Sequence, residues 1–260
     1  MGKIIVVHSY KGGTGKTSIS VNLAATFVKQ GKKVAIFDLD FRAPSLFTIF
    51  DCKKIPTIWL NDYLGGTCDI NKVLIDVSDK VPNTGVFYLC PANPAPTAMR
   101  AMSTKDAKWE SRALKRLLAL REKLIEEKQF DYIIFDTSPG LHYSSMNAIL
   151  AADYVIVATT GDCSDVEGTK CMISEFYELF ETKSRIVLNK VICTSAVNLE
   201  DISSLEQRIK KEYKVPLLGK IRCDCKVVEA KGKHIFPQDY PDYQITQELA
   251  EIAAKIEKNK

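Results

Sequence analysis

The sequence contains no long run of apolar residues, and this absence excludes an integral membrane protein. No stretch approaches the roughly 18 apolar residues that a membrane-spanning helix requires. The first apolar run is too short for a signal peptide, and Val6 occupies a position where a myristoylation signal needs Ser or Thr. We therefore expect a cytoplasmic protein.

The chain also lacks a strong net charge, internal repeats, linkers and low-complexity segments. Its 36 Lys and Arg residues exceed its 32 Asp and Glu residues only slightly, so composition alone does not argue for nucleic acid or an anionic membrane as a partner. A hydrophobic content of 46% with 26% charged residues is typical of a soluble globular protein. We expect residues 1–260 to form a single domain.

A cysteine framework of the kind that builds a disulfide-rich secreted domain is missing as well. The eight cysteines are scattered through predicted strands and helices. We expect them to be reduced and buried.

What is present is an alternation of short apolar runs and helical segments. The apolar runs are near-continuous, which favours strands of a parallel sheet covered on both faces. Strands are predicted at 3–9, 33–40, 86–91, 131–140, 153–161, 185–193 and 216–222. Helices are predicted at 16–31, 105–130, 164–181, 200–212 and 244–258, with short ones near 45–50 and 57–64. The pattern predicts an α/β fold with a mainly parallel central sheet and helices on both faces.

The stretch SYKGGTGKT, residues 9–17, nearly matches a phosphate-binding loop. The pattern G-x-x-x-x-G-K-[ST] begins with glycine, but this sequence has Tyr10 at that position and an additional lysine, Lys11, after it. A strand precedes the stretch and a helix follows it, which is the context of a phosphate-binding loop.

Each residue type in the loop suits a phosphate ligand. Backbone N–H groups at Gly12, Gly13 and Gly15 can converge on phosphate oxygens, and the following helix directs its positive dipole end toward them. Lys16 is expected to reach the β- and γ-phosphates of a nucleotide, and the Thr17 hydroxyl to ligate Mg²⁺.

Three carboxylates follow predicted strands. Asp38 and Asp40 end the second strand on the same side of it, and Asp136 ends the strand YIIFD before a Pro-Gly turn. Ligands of open α/β sheets bind beyond the carboxyl ends of the strands, so we expect these acids beside the loop.

The sequence KGGTGKT at 11–17 resembles the deviant Walker A loop, K-G-G-x-G-K-[ST], of the ParA/MinD family. That pattern does not require glycine before its first lysine. Asp38-Leu39-Asp40 resembles the D-x-D motif of the family, and Asp136 to Gly140 resembles its switch segment. The similarity extends through most of the chain, including 188–190 and 217–233.

The resemblance implies a three-layer P-loop NTPase fold and an ATP-dependent homodimer. It also implies ATP hydrolysis that depends on Mg²⁺, is slow and is stimulated by a partner protein. Lys11 would cross the dimer interface to the ATP of the other subunit, and Asp40 would orient the attacking water. Asp38 and Asp136 would lie in the magnesium shell, and Asn189 would contact adenine. Arg222 departs from the pattern, because many relatives have proline there in the segment that lines the adenine pocket. The implied nucleotide-binding residues are Lys11, Gly12, Gly13, Thr14, Gly15, Lys16, Thr17, Ser18 and Asn189.

The surface on which such a switch acts stays open: it could be DNA, a membrane or neither, so the cytoplasmic protein could lie peripherally on the nucleoid or on a membrane. The lysine-rich stretches at 208–214 and 226–233 could contact DNA phosphates, or could be solvated helix surface. The last helix, 244–258, carries a diluted apolar stripe, so we expect it to pack on the domain rather than to bind a membrane.

Two other functions are compatible with parts of the sequence. A metal-delivery ATPase for nickel or iron–sulfur maturation could use the pair Cys223 and Cys225 at a dimer interface, since thiolates suit these metals. A nucleotide-binding scaffold without turnover is the other alternative, and the presence of Lys11, Lys16 and Asp40 argues against it.

Overall fold

The computed structural model describes residues 2–82, 84–177, 183–192, 206–207, 209–230, 232 and 234–258. The strands in this part of the chain are β1 (Lys3–His8), β2 (Lys33–Leu39), β3 (Ile75–Asp76), β4 (Val86–Cys90), β5 (Tyr132–Thr137), β6 (Tyr154–Thr159), β7 (Ser184–Val191) and β8 (Leu217–Arg222). They form one sheet in the order β3-β4-β2-β5-β1-β6-β7-β8.

All pairings in this sheet are parallel except that of β3 with β4. Central strands β1, β5 and β6 are buried along almost their whole length, as the continuous apolar runs predicted. In the register of β2 with β5, Asp38 lies opposite Asp136. The sheet itself therefore places two of the three acids side by side at its carboxyl edge.

Helices cover both faces of the sheet. The first six are α1 (Lys16–Lys29), α2 (Leu46–Ile49), α3 (Leu60–Gly65), α4 (Pro96–Ser103), α5 (Ala107–Leu120) and α6 (Tyr143–Ala151). The others described are α7 (Cys163–Met172), α8 (Cys225–Glu229), α9 (Phe236–Asp239) and α10 (Gln244–Lys258), and π-helical turns extend α5 over Arg121–Glu126 and α7 over Ile173–Tyr177. One apolar cluster lies between the sheet and α1 with α10, and another between the sheet and α5 with α6. The predicted three layers are confirmed.

Some local features differ from the sequence-based expectation. The Pro-rich segment continues into helix α4, because Pro96 occupies the first helical position, where its missing N–H costs nothing. The short antiparallel strand β3 carried no distinct apolar signal. The helix predicted at 200–212 lies partly outside the described residues, which show helix at 206–207 and 209–213.

The expectation of buried cysteines was wrong for most of them. Cys90 is buried and Cys52 and Cys68 are half-buried, whereas four are exposed: Cys163, Cys171, Cys223 and Cys225. All seven are free thiols, and Cys193 lies outside the described residues. The scattered positions correctly indicated free thiols, but they gave no information about the side of each element on which a thiol lies.

The last helix, α10, packs on the domain as expected. Its stripe of Ile245, Leu249, Ile252 and Ile256 is at most 5% exposed. Its apolar face is therefore part of the core beside α1. Among the described residues, no helix is long and apolar enough to span a membrane.

Candidate functional site

The glycine-rich loop lies at the carboxyl end of β1 and leads directly into α1. Gly13 and Gly15 adopt φ angles of 78° and 92°, a left-handed region that favours glycine. An open cavity lies over the loop and is lined by Gly12, Gly13, Gly15, Lys16, Thr17, Ser18, Asp40, Arg42, Ala43 and Pro139. The structure thus brings most of the predicted phosphate-binding residues to one cavity, next to the start of a helix.

Asn189, at the end of β7, lies directly against this loop. Its Nδ2 donates a hydrogen bond of 2.7 Å to the carbonyl oxygen of Thr14. A Cβ atom at Gly15 would lie only 2.2 Å from the same nitrogen. Asn189 therefore supports the loop in addition to facing the neighbouring cleft, and Gly15 is needed both for its backbone angle and for this close approach.

Lys16 is largely buried at the start of α1. Burial lowers the pKa of its ammonium group, and the negative charges of Asp136, Asp40 and Asp165 oppose that shift. A buried ammonium group at the start of a helix is suited to binding an anion such as phosphate.

Asp38 is fully buried, and its two carboxylate oxygens are engaged by backbone groups. Oδ2 accepts from the N–H groups of Ser45 and Leu46 at 3.0 Å each, and Oδ1 accepts from Asp40 N–H at 3.1 Å. Burial and the charge of Asp136 raise the pKa of Asp38 well above its usual value, although these backbone donors oppose the shift. Asp38 thus holds the loop that leads from β2 to α2.

Asp136 is also buried, and its two oxygens differ. Oδ1 accepts from the Ser20 hydroxyl at 3.0 Å, whereas Oδ2 has no hydrogen-bond partner of ordinary geometry among the described residues. Burial raises the pKa of Asp136 to about 6, and the Thr17 and Ser20 hydroxyls and the charge of Lys16 oppose this shift. An orphaned, buried carboxylate oxygen beside a threonine hydroxyl is a donor set that fits Mg²⁺.

Asp40 is partly exposed and lines the cavity over the loop. Its Oδ1 accepts weakly from the N–H groups of Arg42 and Ala43, at 3.2 Å each. The carboxylate therefore lies on the solvent side of the cavity, where it can contact a water molecule.

Lys11 does not line the cavity of its own loop. Its side chain is 48% exposed, and Nζ lies 2.9 Å from Ser164 Oγ and 3.4 Å from Asp162 Oδ1 at the start of α7. Hydrogen bonds from Ser164, the Asp165 N–H and Lys11 lower the pKa of Asp162 to about 2. The two lysines of the loop thus face different environments, one buried beneath the cavity and one on the surface.

Tyr10, which replaces the first glycine of the ordinary loop, lies against α7. A Cβ atom at Gly168 would be 2.0 Å from the tyrosine ring, so the ring occupies the space that a side chain would need. Sequence reasoning missed Gly168, Asp162 and Ser164 as neighbours of the loop. A glycine within a predicted helix was the available signal for Gly168, since such a glycine often marks a close approach.

The segment that follows β5 contacts the segment that follows β2. The Arg42 guanidinium donates to His142 Nε2, which gives His142 a partner that the sequence did not identify. Further along, Ser145 of α6 donates to the Ser138 carbonyl at 2.9 Å. The expected switch segment is therefore tied both to the Asp40 loop and to helix α6.

A second cleft shares Gly15 and Ser18 with the first and is mostly apolar. Its cavity volume is about 90 Å³, so in this conformation it is a narrow cleft. Its other lining residues are Ile19, Asn189, Lys190, Ile221, Arg222, Cys223, Asp224, Val227, Ile245 and Leu249. The cleft is thus an apolar extension of the loop cavity, on the side where Asn189 lies.

Arg222, the departure from the family pattern, is fixed to α10 at the edge of this cleft. Its backbone N–H donates to Glu248 Oε2 at 2.9 Å, and its Nε lies 3.0 Å from Oε1. A proline at this position would have no N–H to donate. The substitution therefore adds a bidentate contact that orders this wall of the cleft.

Comparisons with known proteins agree with this geometry. A family model described as an AAA domain matches residues 2–190. The septum site-determining protein MinD of Synechocystis is 30% identical over 235 residues, which cover 90% of this chain and 80% of that protein.

Two solved structures share the fold. MinD of Pyrococcus horikoshii, complexed with Mg-ADP, has a TM-score of 0.75 and 22% identity, covering 99% of this chain and 97% of that one. A putative plasmid partition protein of Borrelia burgdorferi, bound to AMPPNP, has a TM-score of 0.77 and 22% identity, covering 100% of both chains. With the loop, the acids and the sheet order, these matches show that the chain belongs to the ParA/MinD family of P-loop ATPases with a deviant Walker A loop.

Proposed function

We propose that this protein is an ATP-dependent dimerisation switch that hydrolyses ATP slowly, until a partner protein stimulates it, and that it positions or partitions DNA or a protein assembly. Residues 1–260 act as one domain in this proposal. The fold and the family support an ATPase, and the placement of Lys11 supports the switch.

Lys11 is the observation that carries the proposal. A lysine acting on its own subunit's phosphates would line the cavity over its own loop, as Lys16 does. The Lys11 ammonium instead lies on the surface, held by an exposed aspartate and a serine. From there it can reach the phosphates of a nucleotide on a second copy of the chain, where it would stabilise the charge that develops during phosphoryl transfer.

The remaining roles follow from the positions of the groups. The backbone of residues 12–18 and Lys16 would hold the phosphates, while Asn189 and the apolar cleft would hold the adenosine. Asp40, partly exposed in the cavity, would orient the attacking water. Asp38 would act mainly by holding the loop that carries Asp40, because its oxygens already accept backbone hydrogen bonds.

Mg²⁺ would be held by the Thr17 hydroxyl and Asp136, with Asp38 behind them. When bound, the ion would neutralise charge on the β- and γ-phosphates. The residues fit such an ion because the buried Oδ2 of Asp136 has no hydrogen-bond partner of ordinary geometry among the described residues.

The metal-delivery alternative has less support. Cys223 and Cys225 are exposed, and the described part of the chain holds no cluster of three or more His, Cys, Asp or Glu residues suited to a metal, so such a site would need the thiolates of a second subunit. Zinc, nickel or iron found in protein purified without added metal would favour that alternative.

The test is the solution mass of Asp40→Ala by light scattering, with Mg-ATP and with Mg-ADP. Loss of the carboxylate should block water activation and trap a dimer of about twice 29.1 kDa with ATP only. Asp40→Asn is the matched control for loop structure, since it keeps an oxygen that can accept from Arg42 and Ala43.

Adding Lys11→Ala to Asp40→Ala tests the role in trans. The double variant should bind a fluorescent ATP analogue but remain monomeric. A mass that does not respond to the nucleotide in the single variant would refute the switch, and a dimer that persists in the double variant would refute the role of Lys11.

A further inference from the structure

We propose that Arg42 distinguishes ATP from ADP by contacting the γ-phosphate of the nucleotide on its own subunit, and that His142 positions Arg42 for this contact. The inference rests on the proposed function and adds the group that would detect the third phosphate within each subunit. Arg42 lies in the segment that follows β2, and His142 lies in the segment that follows β5.

Arg42 lies at the cavity over the phosphate loop. This cavity has a volume of about 490 Å³, within the range of small-ligand sites, and its lining includes two cations, Lys16 and Arg42. Lys16 is largely buried at the start of α1, whereas Arg42 is exposed. A nucleotide in this cavity would therefore meet one cation inside the protein and a second cation on the solvent side.

The backbone of Arg42 is fixed beside Asp40, and this contact indicates where Arg42 lies along the nucleotide. The N–H group of Arg42 donates to Asp40 Oδ1 at 3.2 Å. In the proposed function, Asp40 orients the water that attacks the γ-phosphorus from the side opposite the β-phosphate. A residue that adjoins Asp40 is therefore expected at the γ-phosphate end of the nucleotide, away from the α-phosphate and the ribose.

His142 fixes the other end of the Arg42 side chain. The guanidinium donates from Nη1 to His142 Nε2. The His142 carbonyl accepts from the Met146 N–H at 2.9 Å in the first turn of α6, and the Ser145 hydroxyl of the same helix donates to the Ser138 carbonyl at 2.9 Å. Arg42 is thus held at its backbone by the segment after β2 and at its guanidinium by the start of α6.

The contact with His142 leaves the guanidinium able to bind a phosphate. It uses one of five N–H donors, and a histidine nitrogen that accepts a hydrogen bond belongs to an uncharged ring, so the positive charge of Arg42 is not cancelled. The remaining donors form a planar fork that matches two oxygens of one phosphate group. ADP lacks the phosphate that would lie beside Asp40 and Arg42, so it would not make this contact.

The test measures the affinities of AMPPNP and ADP, each with Mg²⁺, by competition with a fluorescent ADP analogue. All variants carry Lys11→Ala as well, because the proposed function keeps this background monomeric and the affinities then contain no contribution from dimerisation. Arg42→Ala should lower the affinity for AMPPNP at least about tenfold, as expected for a lost hydrogen bond between charged groups, and that for ADP less than about twofold. Arg100→Ala is the matched control, since Arg100 is an exposed arginine of α4 outside the cavity, and it should change neither affinity.

Two substitutions of His142 test its positioning role. His142→Ala should lower the affinity for AMPPNP about threefold, because the freed guanidinium must then be ordered when the nucleotide binds. His142→Gln should restore most of that loss, because its side-chain oxygen can accept from Arg42. A merely structural role of His142 would instead lower the affinities for AMPPNP and ADP equally.

An unchanged ratio of AMPPNP to ADP affinity in Arg42→Ala would overturn the role of Arg42. AMPPNP binding by His142→Gln as weak as that by His142→Ala would overturn the positioning role. Light scattering of the wild type with Mg-AMPPNP separates this inference from the proposed function. A wild type that stays monomeric refutes the switch, whereas the ratio of affinities in Arg42→Ala decides the role of Arg42 whether or not a dimer forms.

Discussion

A buried histidine beneath the phosphate loop gives a prediction that can be worked out quantitatively. His8, the last residue of β1, is fully buried, and its Nδ1 lies 2.9 Å from Thr137 Oγ1. That hydroxyl donates its only hydrogen to the Val7 carbonyl, also at 2.9 Å, so His8 Nδ1 must be the donor to Thr137. His8 Nδ1 therefore carries a proton.

Protonation of His8 is strongly disfavoured in the folded chain. Burial, followed by the charges of Lys16 and His142, lowers the pKa of His8 from 6.5 to about 3. Between these values the unfolded chain binds a proton that the folded chain does not, so the free energy of unfolding falls as the pH falls. The decrease from this one group is about 1.4 kcal/mol per pH unit, or about 2 kcal/mol between about pH 7 and about pH 5.

The assay is urea unfolding of the wild type and His8→Asn across this range, followed by circular dichroism. Asparagine keeps an N–H donor near the Nδ1 position but cannot be protonated. The difference between the two proteins is the informative quantity, because Asp136, with its raised pKa, contributes in the opposite direction in the same range. Parallel pH dependences for the two proteins would refute the reasoning.

Other predictions test the loop, the acid that supports it and the last helix. Gly15→Ala should weaken binding of a fluorescent ATP analogue at least tenfold, about 1.4 kcal/mol. The φ of 92° at this position costs an alanine about 1–2 kcal/mol, and the alanine Cβ would lie 2.2 Å from Asn189 Nδ2. Unchanged binding would contradict the observed loop geometry. Asp38→Ala should lower the free energy of unfolding by about 1–3 kcal/mol, because the buried N–H of Leu46 loses its acceptor. Asp38→Asn, which keeps an acceptor oxygen, should lose less in the same urea titration, and equal losses would show that the hydrogen bonds are not the cause. Ile256→Ala should lower the free energy of unfolding, measured in urea, by about 2–5 kcal/mol, because the side chain is fully buried between α10 and the sheet. A loss below about 1 kcal/mol would mean that the helix is not part of the core.

The sequence by itself determined the type of fold and the chemistry of the loop. Near-continuous apolar strands separated by amphipathic helices have few solutions other than a covered parallel sheet, because the strands must be buried on both faces. The stretch from Lys11 to Thr17, between a predicted strand and a predicted helix, defined a phosphate-binding loop, because the backbone conformation of such a loop depends on its own glycines. The positions of Asp38 and Asp136 at strand ends then predicted their meeting, because parallel strands end at one edge of the sheet.

Only the tertiary structure decided which of these groups are buried, and which of them have a hydrogen-bond partner. The sequence pattern assigned Asp38 and Asp136 equivalent roles, but the fold directs backbone N–H groups of the turn before α2 at the first. It leaves Oδ2 of the second without a hydrogen-bond partner of ordinary geometry among the described residues. The sequence could not show that Lys11 contacts the start of α7 or that Tyr10 lies over Gly168. These facts depend on contacts between residues far apart in the chain, and the distances in them are set by packing of whole elements rather than by any local pattern.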